Sequence, residues 1–366
     1  MGQDTWPDRR LLELLGFALP IIQVPMAGAN GAAMAIAASQ AGGLGSLPCG
    51  MLGPDKVRAE IGVIRQQTSK PVNVNFFCHT PPEPDPAREQ NWRQTLAPYY
   101  AELGLDTSAT APVPNRAPFD DQMCALVEEL KPEVVSFHFG LPAPELLRRV
   151  KAHGCVVIAS ATSAAEARWL EDNGCDAVIA QGYEAGGHRG MFLNSDITIQ
   201  AGTFALVPQV VDAVTVPVIA AGGISDARGI AAAFALGAAG GQMGTAYLLT
   251  PEATISDLHR AALLRAGDDQ TALTNLSSGR PARGLMNRVM REAGPMSDAA
   301  PAYPTAGGAL APLKAKAEAA GLDDFSSLWS GQAAGLATEM GAGELTRQLA
   351  KDSLQLLARL GAAQQT

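Results

Sequence analysis

A (β/α)8 barrel is the fold class that the sequence predicts, on three observations. Eight short runs, mostly apolar or β-branched, recur within the first 250 residues, and segments of helical period separate them. Glycine and proline, 38 and 25 of the 366 residues, have neither a collagen period nor linker clustering and fall where these segments end. Strict alternation that closes within about 230 residues is the barrel pattern. An open doubly wound sheet is the structural alternative, because the same alternation builds both.

Taken in order, Leu11, Leu12, Leu14 and Leu15 make one face of a short opening helix that Gly16 ends. Strands are expected at 21–24, 43–46, 72–76, 134–137, 156–159, 177–180, 218–220 and 240–243, each the kind of run that a doubly covered parallel strand requires. The third alternates cleanly. Helices are expected at 31–40, at 54–67 with Pro54 in the first turn, and at 143–153, 163–173, 201–213 and 225–236. Ser163 and Ser225 stand at N-cap positions, and Gly154 and Gly174 just past helix ends. Residues 79–132 interrupt the repeat as a lid-like insertion after the third strand, with helical patches at 85–103 and 120–130. The barrel domain is thus expected at 1–250. The tail, 251–366, shows no strand pattern and several helical ones, and is expected to form a helical cap or subdomain.

Charge narrows the function. The chain has 27 Lys and Arg against 36 Asp and Glu, a formal net of -9, with no basic run, which disfavours nucleic acid as a partner. Five cysteines, at 49, 78, 124, 155 and 175, form no Cys-x-x-Cys pair and no zinc spacing, so they read as buried thiols of a cytoplasmic protein that binds no metal. The apolar run after Arg9 and Arg10 is broken by Glu13, Gly16 and Pro20, unlike a signal peptide, and no stretch is apolar enough to span a bilayer.

In a barrel the chemistry lies where the strands end. None of the seven lysines (56, 70, 131, 151, 314, 316, 351) follows a strand, which disfavours a Schiff base. Glu184 and Asp196 are isolated acids, and no Gly-x-Ser-x-Gly elbow is present. Glycines, amides and histidines remain. Gly222 and Gly223 run into Ser225 and Asp226 at a helix start, and the 241–245 stretch, through Gln242, Met243, Gly244 and Thr245, precedes another; such backbones close on a phosphate, though they also suit tight turns. Asn75 and Gln181 offer donors and acceptors for the edge of a flat heterocycle, or are buried amides satisfied by their neighbours. Met26, Ala27 and Gly28 add a small surface on which a ring could rest. His188, after Gly186 and Gly187, is the candidate catalytic histidine, whereas His153 and His259 read as structural.

The 20–28 run PIIQVPMAG, the 71–75 run PVNVN, the 136–140 run SFHFG, the 182–190 run GYEAGGHRG and the 221–224 run AGGI together resemble the nitronate monooxygenase family of FMN-dependent barrels. The tail runs at 278–283 (SGRPAR) and 329–336 (WSGQAAGL) are similar to it too. The resemblance implies FMN held by Met26, Ala27, Gly28, Asn75, Gln181, Gly186, Gly187, Gly222, Gly223, Gln242, Met243, Gly244 and Thr245, with His188 catalytic and His138 and Tyr303 on the substrate side. It implies oxidation of an alkyl nitronate, such as propionate 3-nitronate, by O2 to a carbonyl compound and nitrite, by a monomer or homodimer. Two alternatives stand beside it: an NAD(P)H-dependent FMN reductase of quinones or enoyl thioesters on the same barrel, and a non-redox phosphate-binding lyase or isomerase. No Gly-x-Gly-x-x-Gly dinucleotide fingerprint follows a strand.

Overall fold

A computed structural model describes residues 6–107 and 116–362. In chain order the strands of the barrel region are β1 (Ile21–Gln23), β2 (Gly45–Pro48), β3 (Val72–Phe77), β4 (Val134–His138), β5 (Val156–Ala161), β6 (Ala177–Gln181), the two-residue β7 (Gly187–His188), β8 (Val218–Ala221) and β9 (Gly240–Met243). All but β7 form one parallel sheet ordered β1-β9-β8-β6-β5-β4-β3-β2. A bridge between Ile22 and Leu44 joins its two ends, so the sheet closes on itself. Each expected strand is present; the last, 240–243, matches at both ends, and the others differ at one end or both by one or two residues. Residues of β3 and β6 are buried throughout, as barrel strands covered on both faces must be. The polar members of these runs pair with one another: Ser46 N donates to Gln23 Oε1 at 2.9 Å and Asn73 Nδ2 to Ser46 Oγ at 3.0 Å.

The helices are α1 (Arg10–Leu15), α2 (Ala32–Gln40), α3 (Pro54–Gln67), α4 (Pro86–Glu102), α5 (Asp121–Leu130), α6 (Pro144–Ala152), α7 (Ala164–Asp172), α8 (Thr203–Val211) and α9 (Ala227–Ala235). Ser163 caps α7 as expected, accepting from Glu166 N. Ser225 does not cap α9. That position belongs to Asp226, whose extended backbone precedes the first turn and whose carboxylate accepts from Arg228 N.

The tail departs from the expectation of helices alone. After α10 (Thr245–Leu248) and α11 (Asp257–Leu264) it forms β10 (Thr271–Thr274) and β11 (Ala282–Leu285), an antiparallel pair that β7 joins on the β11 side. These strands were silent in the sequence because each spans four residues and neither shows apolar alternation. α12 (Arg288–Glu292), α13 (Gly307–Ala319) and α14 (Ala342–Ala362) complete the chain. α14 leaves the cap and lies between α2 and α9, the place of the eighth barrel helix. Leu345, Leu349 and Ala350 are buried there, and Tyr247 and Thr346 share a 2.7 Å hydrogen bond across the contact. The backbone approach is close: a Cβ on Gly43 would stand 2.9 Å from Thr346 Cγ2.

The insertion divides in the same way. α5 packs between α3 and α6 as a barrel helix, while α4 turns to the tail and packs on α13. Trp92, Leu96 and Tyr100 of α4 share a core with Leu276, Met290, Leu310, Leu313 and Phe325, separate from the barrel core. Trp92 Nε1 donates to Ala306 O at 3.0 Å and Tyr100 Oη to Ala309 O at 2.6 Å, so both polar tips are satisfied. Among the described residues no helix is long and apolar enough to cross a membrane, and the five cysteines are free.

Leu349→Ala should lower unfolding free energy by about 2–5 kcal/mol, as for other buried Leu truncations. Urea denaturation of the full chain measures it. An unchanged midpoint would mean that α14 is not part of the barrel's packing.

Candidate active site

The carboxyl ends of the strands surround a cavity of about 580 Å³, within the range of small-molecule sites. Met26, Ala27 and Gly28 line it after β1, Asn75 at β3, Gln181 at β6, and Gln242 at β9. Gly186, Gly187 and His188 border it, as do Gly222, Gly223, Gly244 and Thr245. His138 and Tyr303 reach it from β4 and from the cap. Met243 is the exception among the expected site residues, because its side chain is turned into the barrel core at 1% exposure.

One side of the cavity is a cradle of backbone. Gly222 and Gly223 take φ of 111° and 69°, conformations that L side chains rarely adopt. A Cβ on Gly222 would also stand 2.9 Å from Thr203 Oγ1. Glu184 braces this region by accepting from Thr203 N at 2.8 Å and Thr203 Oγ1 at 2.8 Å, and Thr203 Oγ1 lies 2.9 Å from Gly222 O. The acid that the sequence left isolated is thus structural. Asp196 is another such case, capping a single 3-10 turn at Ile197–Ile199. On the neighbouring strand β9, whose Gln242 stands beside Ala221, Gln242 is only 7% exposed, and its Oε1 has no hydrogen-bond partner. A group bearing an N–H there would satisfy it.

Asn75 and Gln181 resolve differently. Asn75 Nδ2 donates to Ser136 Oγ at 2.9 Å. Gln181 is spent on its own loop: its Nε2 donates to His188 O at 2.9 Å and its Oε1 accepts from Gly190 N at 2.7 Å. His138 serves the same carbonyl, with Nε2 3.2 Å from His188 O and Nδ1 3.1 Å from Ser160 Oγ. A carbonyl only accepts, so Nε2 carries the proton and Nδ1 accepts from the serine. His138 therefore holds His188 from beneath while also facing the cavity.

His188 is fixed from the tail as well. β7 pairs with β11 through His188 opposite Ala282 and Gly187 opposite Arg283, and Arg189 N donates to Pro281 O at 2.9 Å. The ring Nε2 meets Ser278 Oγ at 2.9 Å. Gly186 is required by this closure, since a Cβ there would lie 2.5 Å from Gly331 N. Arg189, fully buried, stitches the loop by donating to Gln181 O and Gln200 Oε1 at 2.7 and 2.8 Å. Glu166 secures the loop's exit, accepting from Phe192 N and Leu193 N at 2.6 and 3.1 Å.

Around His188 stand rings: Tyr303 at 5.4 Å, Trp329 at 5.5 Å and Phe139 at 6.0 Å between centroids, with His79 4.8 Å from Tyr303. Phe139 takes φ of 73°, a strained conformation for an aromatic residue. Burial keeps the imidazoles neutral. It lowers His138 to about 4; His79 also falls to about 4, with the charges of Arg280 and Arg116 adding to burial. His188 is pushed well below 6.5 by burial first and the charge of Arg116 next. Arg280 stacks on Phe139, its guanidinium carbon 4.1 Å from the ring centroid. His259, expected to be structural, donates from or accepts at Nε2 toward the Trp329 backbone: only donation suits a carbonyl, at 3.1 Å. His153 lies outside the cavity, 3.8 Å from Glu128.

Sequence reasoning passed over Ser278, Arg280, Trp329, His79 and Arg116 as site residues. The first three lie inside the SGRPAR and WSGQAAGL runs, which marked the segments without assigning roles. His79 was visible only as a histidine just past the third strand. Arg116 had no signal, standing in a proline-rich insertion without a motif.

A family model described as nitronate monooxygenase matches residues 8–352. The nitronate monooxygenase of Paraburkholderia phytofirmans is 43% identical over 359 residues, covering 98% of this chain and 98% of the relative. That of Pseudomonas aeruginosa is 44% identical over 349 residues, covering 94% and 98%. Among solved structures, a nitroalkane oxidase from Streptomyces ansochromogenes superposes with a TM-score of 0.87 at 38% identity, over 96% of this chain and 99% of the other.

The lowered imidazoles make stability depend on pH. Folding holds His79, His138 and His259 neutral down to about 4, and His188 well below 6.5, whereas the unfolded chain takes up protons as pH falls through 6.5. Their contribution is therefore complete above that value and lost as pH falls toward 4, by up to about 1.4 kcal/mol per pH unit for each histidine. Urea unfolding at about pH 7 and about pH 5 should show the loss. Equal stability at both would mean that the folded chain protonates these rings freely.

Proposed function

The chain belongs to the nitronate monooxygenase family, and on that premise we propose that its cavity holds FMN and that it oxidises alkyl nitronates with O2 to carbonyl compounds and nitrite. The observation that carries this reading is one cavity in which a glycine cradle, an unpartnered Gln242 Oε1 and a neutral, clamped His188 converge. The residues present fit the cofactor. Gly222, Gly223 and Gly244 would hold its phosphate where backbone N–H groups can approach without a Cβ, with Thr245 beside them. Gln242 would accept from a ring N–H, Asn75 would face another edge, and Met26, Ala27 and Gly28 would support the ring. The redox chemistry is supplied by the flavin when bound.

The protein's own contribution is to position and to screen. His188 is neutral at physiological pH, so it can accept a proton from the α-carbon of a neutral nitroalkane. Its backbone is held by Gln181, His138 and β11, and Ser278 orients its ring, so little reorganisation is needed as the proton moves. Tyr303, Phe139 and Trp329 exclude water around it. For a preformed nitronate the proton step is unnecessary, and His188 then only orients the anion. The free thiols support a cytoplasmic setting for this reaction.

Two measurements test the reading. The purified protein should show a flavin spectrum that bleaches anaerobically on adding a nitronate; bleaching by NADH without a response to nitronate would favour a reductase, and a colourless protein would remove the cofactor. His188→Asn should lower kcat/KM for a neutral nitroalkane by about 10²–10⁴ and leave most turnover of the corresponding nitronate. Equal turnover of the nitroalkane by both proteins would remove His188 as the base.

A further inference from the structure

The imidazole of His188 is bonded through one nitrogen only. Its Nε2 lies 2.9 Å from Ser278 Oγ. Its Nδ1 has no hydrogen-bond partner among the described residues and is not shielded by them, and the residue lines the cavity, so Nδ1 is the nitrogen open to a bound molecule. Ser278 is fully buried and is held by the turn that it ends: Ser278 N and Gly279 N donate to Asn275 O at 3.3 and 2.7 Å. The Asn275 amide is tied to Ser297 on both sides, Nδ2 donating to Ser297 O at 2.9 Å and Oδ1 accepting from Ser297 N at 3.0 Å. A Cβ on Gly279, whose φ is 89°, would stand 2.2 Å from Pro301 O, so the turn runs directly against the segment that carries Tyr303.

Two further groups meet the same hydroxyl. Arg280 O lies 3.3 Å from Ser278 Oγ and Arg280 N lies 3.4 Å from it. A hydroxyl has one hydrogen and two lone pairs, so the number of bonds made here depends on which nitrogen of the neutral ring holds its proton. With the proton on Nδ1, Ser278 must donate to Nε2, and Arg280 O loses its donor. With the proton on Nε2, Nε2 and Arg280 N both donate to Oγ, and the hydroxyl donates on to Arg280 O. The second arrangement makes one bond more, among groups whose unmade bonds are costly because Ser278 is buried. We infer that Ser278 is a positioning residue that holds the proton of His188 on Nε2, so that the bare Nδ1 facing the cavity is the atom that takes the substrate's proton. The inference deepens the reading of His188 as a base and rests on it.

In the step, the C–H bond at the α-carbon of a neutral nitroalkane breaks, and its electron pair passes into the nitro group. The proton forms an Nδ1–H bond while Nε2 keeps its own. The imidazolium then donates at both nitrogens, through Nδ1 to the nitronate just made and through Nε2 to Ser278. Behind the ring stands a hydroxyl relayed to a peptide carbonyl, in place of a carboxylate. Such a neutral relay fixes the tautomer but stabilises the imidazolium less than a carboxylate would, so the ring gives its proton back readily.

The tautomer can be read directly. Proton–nitrogen correlation spectra of the full chain carrying isotope-labelled histidine, recorded without substrate at about pH 8 where the rings are neutral, distinguish a protonated ring nitrogen from a bare one. Signals lost in His188→Asn belong to His188. The wild type should carry the proton on Nε2; a proton on Nδ1, or one shared equally between the two, overturns the inference. Ser278→Ala should move the ring toward such a mixture and lower kcat for a neutral nitroalkane about tenfold, while kcat/KM for the corresponding nitronate stays within about twofold. An unchanged tautomer in Ser278→Ala, or an equal loss on both substrates, overturns the role of Ser278. A wild type that turns over no nitroalkane refutes His188 as the base instead, and the spectrum of the same protein still decides whether Ser278 sets the ring. That spectrum is taken on the wild type, so the decision does not depend on how the variant folds.

Discussion

The main-chain carbonyl of His188 is the point on which the site depends. It accepts from Gln181 Nε2 at 2.9 Å and from His138 Nε2 at 3.2 Å, while the same residue pairs with Ala282 across a β-ladder. Two barrel strands and a tail hairpin therefore meet at one peptide. With the backbone held in this way, only the two side-chain torsions of His188 remain to settle, and the bond to Ser278 fixes the ring. Glycine at 186 is a consequence, because the tail crosses too closely for a side chain.

Electrostatics follow from the same closure. Bringing Tyr303, Trp329 and Phe139 over the mouth removes water from the histidines, and a desolvated imidazole gives up its proton. Arginines supply the charge that remains, and they are placed for different ends. Arg189 is fully buried but satisfied by carbonyls and Gln200, so it acts as a stitch. Arg116 keeps unpartnered donors at the rim. A reaction that begins from an anion suits such a site, because the base must be neutral while the surroundings favour negative charge.

The cap is made by two segments that are distant in sequence. α4 of the insertion and α13 of the tail share an apolar core that neither could bury alone, and Tyr100 bonds across it to Ala309 O at 2.6 Å. The tail also completes the barrel beneath its own cap, since α14 fills the gap between α2 and α9. Barrel and cap are thus stabilised by one stretch of chain.

Local rules were enough for the barrel. Strands buried on both faces must be short apolar runs, helix ends need caps and glycines, and a backbone that approaches a ligand or another backbone needs residues without Cβ; each demand is written where it applies, as at Val72–Phe77, Ser163 and Gly222. The histidine loop was legible for the same reason. What the tertiary structure alone decided was partnership: that Ser278 meets His188, that β11 takes up β7, that Gln181 serves its own loop, that Met243 turns inward, and that Arg116 is left without an anion. These depend on segments tens of residues apart arriving at one place, and a residue's type records what its own backbone requires but not which distant group will stand beside it.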